Sequence, residues 1–351
     1  DMLQIALAQE GPTHASVASY NNHWGVPLSL ARMPLNTQFA VFEIGMNCPG
    51  EIAPLVRQVR PHAALITTVS EAHLGAFGDV GSIAFEKASI MEGLVDGGCA
   101  ILNADISTSG ILKNVAGQTG CKQIWFGKSA EDIRLIGCER RKESLQIEAY
   151  LNGFHLSFPL LTQGKHFALN AVAAIAVIQA LGANVKKAAA NLVLWTPRAG
   201  RGAVKKLTTS VGHLELIDDS YNANPESMIA ALETLAASKA KRRIAILGDM
   251  RELGSDADAL HAALSAHSAI KKIDKFHTVG KHMLALRKKL PKSQQGIHVS
   301  GATDLLPDLE GLLQNDDCIL VKASLGTNLG IISNAILALE SWPEKMARKE
   351  T

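Results

Sequence analysis

The run Leu214-Glu215-Leu216-Ile217-Asp218-Asp219 followed by Ser220-Tyr221-Asn222-Ala223-Asn224-Pro225 constrains the fold more than any other stretch of the chain. An apolar run of β type ends in two carboxylates, small amide side chains follow, and Pro225 stands where a proline can open a helix. Such a joint belongs at the carboxyl end of a strand in an open α/β sheet, where ligands bind. Its polar residues therefore read as a site and not as core. A second polar run, Tyr20-Asn21-Asn22-His23-Trp24-Gly25-Val26-Pro27, has too little apolar periodicity for a buried element. Two such runs point to an enzyme.

Short apolar runs at 39–44, 63–69 and 99–102 alternate with helical stretches at 50–59 and 80–94, which predicts βαβ units and a mainly parallel sheet. From 123 to 160 the pattern changes to strands without helices, and the runs 145–151 and 154–160 flank Asn152-Gly153, a strong hairpin signal. An Ala-rich helix at 168–181 and a shorter one at 185–190 close the first domain. The segment 195–203 is rich in Gly, Pro and Arg and aperiodic, so the linker belongs there, with mobility about 196–202. Alternation then restarts. Strands at 212–218, 243–247, 275–279 and 318–321 are separated by helices near 225–237, 257–266, 281–288, 302–314 and 328–339, a second doubly wound domain.

With 351 residues, 47% of them apolar, the chain can bury two cores. Its 35 basic and 33 acidic side chains nearly cancel, which speaks against nucleic acid as a partner. The one basic cluster, Lys239-Ala240-Lys241-Arg242-Arg243, reads as a solvated helix end, with an anion contact as the alternative. Five cysteines without a C-x-x-C pair imply reduced thiols and a cytoplasmic protein. No run is long enough for a membrane span, and no leader pattern opens the chain. Instead 2–9 begins abruptly as an amphipathic helix, and no G-x-x-x-x-G-K-[ST] occurs, so the chain is expected to start inside a helix whose preceding loop is lost.

Glu43 ends a strand-like run before Gly45, Asn47 and Gly50, a carboxylate at a sheet edge suited to a hard cation such as Mg²⁺ or, alternatively, to helix capping. His73 follows the next run and Lys87 lies in the helix after it; His73 is open to a structural or a ligand role. Gly164-Lys165-His166 precedes the Ala-rich helix with Asn170 on the same face as His166, where capping and ligand contact are both compatible. Arg201, between two glycines, either reaches a phosphate or is simply a solvated hinge residue.

At these residues the chain resembles the Mur ligase family, and within it the branch that adds D-alanyl-D-alanine. The resemblance runs in order through 20–28, Glu43-Ile44-Gly45-Met46-Asn47, Ala72-His73-Leu74, Glu86-Lys87, Gly164-Lys165-His166 with Asn170, Gly200-Arg201, 218–225 and 247–254. It implies a central mononucleotide-binding parallel-sheet domain at 1–203 and a Rossmann-like C-terminal ligase domain at 204–351. It also implies a monomeric cytoplasmic enzyme of peptidoglycan precursor synthesis, which uses ATP and two Mg²⁺ ions. ATP activates the carboxyl end of UDP-N-acetylmuramoyl-tripeptide as an acyl phosphate, which the amine of D-alanyl-D-alanine attacks. On this resemblance Glu43, His73 and a carbamylated Lys87 hold metal. Lys87, His73 and Arg201 are the catalytic set, and His166, Asn170, Arg201, Asp219, Tyr221 and Asn222 bind the nucleotide. Asn21, Asn22, Asn224, Lys322 and Ser324 face substrate.

The sequence departs from the family pattern in three places. The UDP-binding domain and the P-loop are missing, which implies an inactive fragment as given, with a P-loop-less non-catalytic paralogue that binds muropeptide or a partner ligase as the alternative. Thr68 and Gly75 stand where relatives often carry Asn and an acid, and Leu325 where they often carry Arg. A folylpolyglutamate synthase, a third reading, is disfavoured by the run 20–27.

Overall fold

The computed structural model describes residues 1–340; the end of the second expected domain, 341–351, lies outside the described residues. Contacts divide the chain into two units, Asp1–Thr196 and Pro197–Thr351.

In the first unit β1 (Thr13–Ala15) and β2 (Phe39–Val41) pair in parallel as a small sheet of their own. A six-stranded sheet follows in chain order: β3 (Ala63–Ile66), β4 (Cys99–Asn103), β5 (Lys122–Gly127), β6 (Ile133–Arg140), β7 (Leu145–Leu151) and β8 (Phe154–Leu160). Pairing is parallel from β3 to β6 and antiparallel from β6 to β8. Every residue of β4 is buried, as a parallel strand covered on both faces requires, whereas β7 alternates buried and half-exposed residues. Asn152 and Gly153 join β7 to β8 with φ of 36° and 104°, the conformation that hairpin turns of this kind demand.

Helix His166–Ala180 is apolar nearly all round, and it packs on β4, β5 and β6 inside one core with helix Met2–Ala8. Helix Val80–Ala88 covers the other face with Ser109–Thr119, a helix that sequence periodicity did not suggest. The runs expected at 39–44 and 63–69 stop at Val41 and Ile66, so their polar ends become loops.

The sheet of the second unit runs β13-β12-β11-β14-β10-β9, with β9 (Ala203–Thr209), β10 (Gly212–Asp219), β11 (Arg242–Gly248), β12 (Lys275–Val279), β13 (Gln295–Val299) and β14 (Asp317–Lys322). Only β9 is antiparallel. Separate apolar layers lie on the two faces, one around Met228, Leu232 and Leu286, the other around Leu305, Ile332 and Ile336. Helices therefore cover both sides, the doubly wound arrangement. The helix expected at 302–314 is instead a 3₁₀ segment, Ala302–Asp308, followed by a single α turn at Leu309–Leu312; Pro307 supplies no amide donor there.

The basic cluster is a solvated helix end at Lys239 and Lys241, which lie exposed just past helix Pro225–Ala236, but not at its last two residues. Arg242 lies within β11 and donates two bonds, at 2.8 and 2.7 Å, to Asp317, which is 1% exposed, and this pairing raises its guanidinium above the usual range. Among the described residues no helix is long and apolar enough to cross a membrane.

Candidate functional site

In the first unit the polar run at 20–25 folds onto the loop that follows β2. Asn21 Nδ2 donates to Glu43 Oε1 at 2.9 Å, and the Asn21 carbonyl accepts from Gly45 N at 2.8 Å. Gly45 permits this approach, since a Cβ there would stand 2.8 Å from Asn21 Nδ2. Asn22 Oδ1 accepts from the amides of Trp24 and Gly25, at 3.1 and 2.9 Å, and so helps to open helix Gly25–Ala31. Glu43 is exposed.

His73 begins the short helix Leu74–Phe77 in the left-handed region, with φ of 62°. For a bulky residue that conformation costs on the order of 1 kcal/mol or more, and such strain clusters at functional sites. Glu51, beside it electrostatically, accepts from the amides of Asn47 and Cys48, and these bonds first, then the charges of His23 and His73, hold its carboxyl below the usual range. Glu86 reaches back to accept from Gly50 N and Ile52 N, at 2.7 and 2.9 Å, so it fixes the start of helix Ile52–Val59 from a distant part of the chain. The next residue, Lys87, has its ammonium depressed by burial and no carboxylate partner among the described residues.

That donor set bears on the implied cation. Among the described residues no three His, Cys, Asp or Glu side chains are arranged to hold an ion, so Glu43 and His73 need a further oxygen donor. A desolvated lysine suits that need, because only a neutral amine adds carbon dioxide, R-NH₂ + CO₂ giving R-NHCOO⁻ and a proton. Glu43 and His73 are donor types that suit Mg²⁺, and they would hold it only with such a further oxygen donor.

His166 and Asn170 lie exposed on the first turn of helix His166–Ala180, whose N-cap, Lys165, makes no side-chain cap bond. The imidazole of His166 leans on Phe167 at 3.9 Å between centroids, and Phe167 leans on Trp195 at 4.9 Å.

In the second unit the carboxyl ends of three neighbouring strands, β11, β14 and β10, converge on one polar network. Asp218, 7% exposed, accepts from Gly200 N, Ser220 Oγ and Ser333 Oγ, each at 2.7 Å. Asp219 pairs with Lys322 at 2.7 Å, and Lys322, 1% exposed, also donates to the Asn222 carbonyl at 2.8 Å. Burial pushes the Asp219 carboxyl up, and the charge and hydrogen bond of Lys322 oppose it. Ser324 Oγ donates to the Ala223 carbonyl and accepts from Arg251 N. Asn224 caps helix Pro225–Ala236 in a reciprocal box with Ser227. Arg201 lies 4.1 Å over the Tyr221 ring, a cation–π contact, while Gly200 and Gly202 are hydrogen-bonded to residues 218 and 221. The second half of the expected hinge is thus fastened to its own unit.

The structure joins Asn21 to Glu43, and it gathers Asp219, Asn222, Lys322 and Ser324 with Arg201 stacked on Tyr221 nearby in the chain. Lys322, Ser324 and Asn224 are occupied by protein partners. Glu51, Asp218, Ser333 and Arg251 were not singled out from sequence. Asp218 and Arg251 stood in runs that the sequence offered, 218–225 and 247–254; Glu51 acts locally on Asn47 and Cys48, and Ser333 reaches Asp218 across 115 residues.

Residues 1–178 match the Mur ligase middle domain, and residues 204–325 match the Mur ligase glutamate ligase domain. The UDP-N-acetylmuramoyl-tripeptide--D-alanyl-D-alanine ligase of Rickettsia prowazekii is 30% identical over 94% of this chain and 73% of its own length. The ligase of the same name from Escherichia coli K12 is 32% identical over 92% of this chain and 71% of its own. Among solved structures, MurF from Acinetobacter baumannii superposes with a TM-score of 0.86 at 26% identity, covering 97% of this chain and 73% of that one. A folylpolyglutamate synthase of Mycobacterium tuberculosis, at 16% identity and a TM-score of 0.68, shares the fold. Both domains of this chain therefore place it in the Mur ligase family.

Proposed function

We propose that this protein is the ATP-dependent ligase that joins D-alanyl-D-alanine to UDP-N-acetylmuramoyl-tripeptide in peptidoglycan precursor synthesis. The observation that carries this reading is its match, at 30–32% identity over more than nine-tenths of the chain, to ligases named for that reaction. The carboxylate of the tripeptide attacks the γ-phosphorus of ATP and ADP leaves. The dipeptide amine then attacks the acyl phosphate and inorganic phosphate leaves.

Glu43, oriented by Asn21, and His73 would hold Mg²⁺ together with a carbamate on Lys87, and the cation would supply positive charge to offset that of the phosphates. Arg201 adds a guanidinium for the transferring phosphoryl group, and Tyr221 fixes its direction. His166 and Asn170 contact the adenine side, with Asp219 and Asn222 toward the ribose. Asn22, Asn224 and Ser324 shape the loops against which substrate lies. The enzyme acts as a monomer in the cytoplasm.

The test is phosphate release by the full-length protein with UDP-linked tripeptide, D-alanyl-D-alanine and MgATP. Turnover that requires all three is expected, and turnover with glutamate in place of the dipeptide would replace this reading with another amide ligase. Lys87→Ala lowers the rate roughly 100-fold or more, the scale of a lost electrostatic clamp, and a small added carboxylate restores part of it. Near-normal turnover by Lys87→Ala would remove the carbamate from the account.

A further inference from the structure

Arg251 is the second exposed element of the second unit's ligand edge, and the chain spends several contacts on holding it there. It follows β11 by a short loop whose every neighbour is fixed. The Asp249 carbonyl accepts from Ser324 N and Thr327 Oγ1, both at 3.2 Å. Asp249 Oδ1 accepts from Met283 N at 2.9 Å, and Met250, 1% exposed, donates its amide to His261 Nε2 at 2.9 Å. The Arg251 amide itself donates to Ser324 Oγ at 2.9 Å. With the backbone pinned, the guanidinium lies flat against Gly326: a Cβ on residue 326 would meet Nη1 at 2.5 Å, Cζ at 2.7 Å and Nε at 3.0 Å. A side chain at 326 would have to displace the guanidinium from this seat.

A guanidinium without a carboxylate is an unfinished contact. No acidic side chain pairs with Arg251 among the described residues, and the residue is exposed. The other cations of this edge are committed. Lys322 is buried between Asp219 and the Asn222 carbonyl, Arg242 is spent on Asp317, and Arg201, stacked on Tyr221, is the residue read above as serving the phosphoryl group. Leu325, the residue before Gly326, is 62% exposed, an apolar side chain in water one position along the chain from the seat of the guanidinium. A planar fork of donors with a small apolar surface alongside matches a carboxylate whose α-carbon carries a methyl group.

We propose that Arg251 binds the free C-terminal carboxylate of the incoming dipeptide, with Leu325 against its terminal methyl group. The proposal rests on the ligase reading above. Carboxylate capture at one end of the dipeptide directs its amine, at the other end, away from this loop and toward the activated carboxyl group.

The experiment compares D-alanyl-D-alanine with its C-terminal amide as acceptors for the full-length enzyme, wild type and Arg251→Gln. Wild type prefers the acid by a large factor. Arg251→Gln raises KM for the acid roughly 10- to 100-fold, the effect of losing a charge-assisted pair, and abolishes the preference for acid over amide, while KM for ATP and for the UDP-linked tripeptide stays within twofold. Arg251→Lys restores part of the preference, since a point charge remains but the fork does not. Gly326→Ala, which displaces the guanidinium without removing it, lowers the preference as well. An acid preference that survives in Arg251→Gln overturns the proposal, and so does a rise in KM for ATP instead of the dipeptide. A wild-type enzyme that consumes neither dipeptide overturns the ligase reading itself, a separate result.

Discussion

In the first unit Glu43, His166 and Asn170 stand exposed on a loop or on the first turn of a helix, whereas in the second Asp218, Lys322 and Ser324 are 7%, 1% and 6% exposed and already bonded to neighbouring loops. Glu43 and the second set sit where strands give way to loops. The difference lies in what completes them. The second unit's network closes on itself through Gly200, Asn222, Ala223 and Ser333. Its residues are held before any ligand arrives, while Arg251, Leu325, Asn222 and Arg201 are exposed around them. The first unit leaves Glu43 with one protein donor and Lys87 with a desolvated amine and no carboxylate among the described residues. Such a set gains its order from what it binds.

Two substitutions of the same kind break or support this contrast most strongly. Lys322→Met removes the partner of a largely buried carboxylate, which costs about 3–5 kcal/mol for a pair of this type. Lys87→Met replaces a desolvated amine that has no such partner with an apolar side chain of similar length, and stability is unchanged or rises slightly. Hydrogen exchange of β14 and β4 in the whole chain reads the two units separately. Equal losses in both would mean that the first unit is as pre-paired as the second.

Acid separates the units next. His277 is 4% exposed, and its Nδ1 accepts from Ile297 N at 3.1 Å. Burial first, then the charges of Arg242, Lys275 and Arg287, lower its pKa to about 4, against about 6.5 when unfolded. The unfolded chain therefore binds the extra proton between these values, and stability falls as pH falls through that window, by about 3 kcal/mol in all. Burial lowers His261 and His298 as well, in the same unit and with the same sign. Exchange of β12 and β13, corrected for the intrinsic pH effect, should accelerate at pH 4.5 relative to pH 7, and His277→Gln should flatten the response. An unchanged pH profile in that variant would assign the acid sensitivity elsewhere.

How far the fold was legible follows from the same physics. The strand at 275–279 and the Asn152-Gly153 turn stand in the structure as the pattern reads, because a buried strand and a positive-φ turn each need particular residues. The two missed strands of the second unit, β9 and β13, are both edges of their sheet. An edge strand needs no continuous apolar run, and β9 carries Lys205 and Lys206 in its middle, as strands do that must not pair further. Helix Ser109–Thr119 was hidden by Gly110 and Gly117 and by burying only Leu112 and Ala116. At the site, the residue types at strand ends were visible as polar runs, but the contacts that orient them were not. Asn21 and Glu43 are 22 residues apart, Lys322 and Asp219 are 103 apart, and the seat of Arg251 on Gly326 exists only once β11 and β14 pair.

The smallest effect on stability, and the sharpest on function, is expected at Asn21. Its side-chain bond to Glu43 is exposed, and removing it by Asn21→Ala costs no more than about 1 kcal/mol, because water replaces both partners and the backbone bond from Gly45 N to the Asn21 carbonyl remains. Glu43, however, loses the one donor that fixes its rotamer. If Asn21 positions a cation ligand, the Mg²⁺ concentration for half-maximal activity of the full-length protein rises severalfold, while KM for the UDP-linked tripeptide holds. If the tripeptide KM moves and the Mg²⁺ dependence does not, Asn21 contacts substrate directly and its bond to Glu43 is incidental. Asn21→Asp separates the two further: it keeps the size of the side chain but sets a carboxylate against Glu43, so a positioning role predicts a larger shift than Asn21→Ala at low Mg²⁺ and a smaller one when the cation is abundant enough to bridge the two charges.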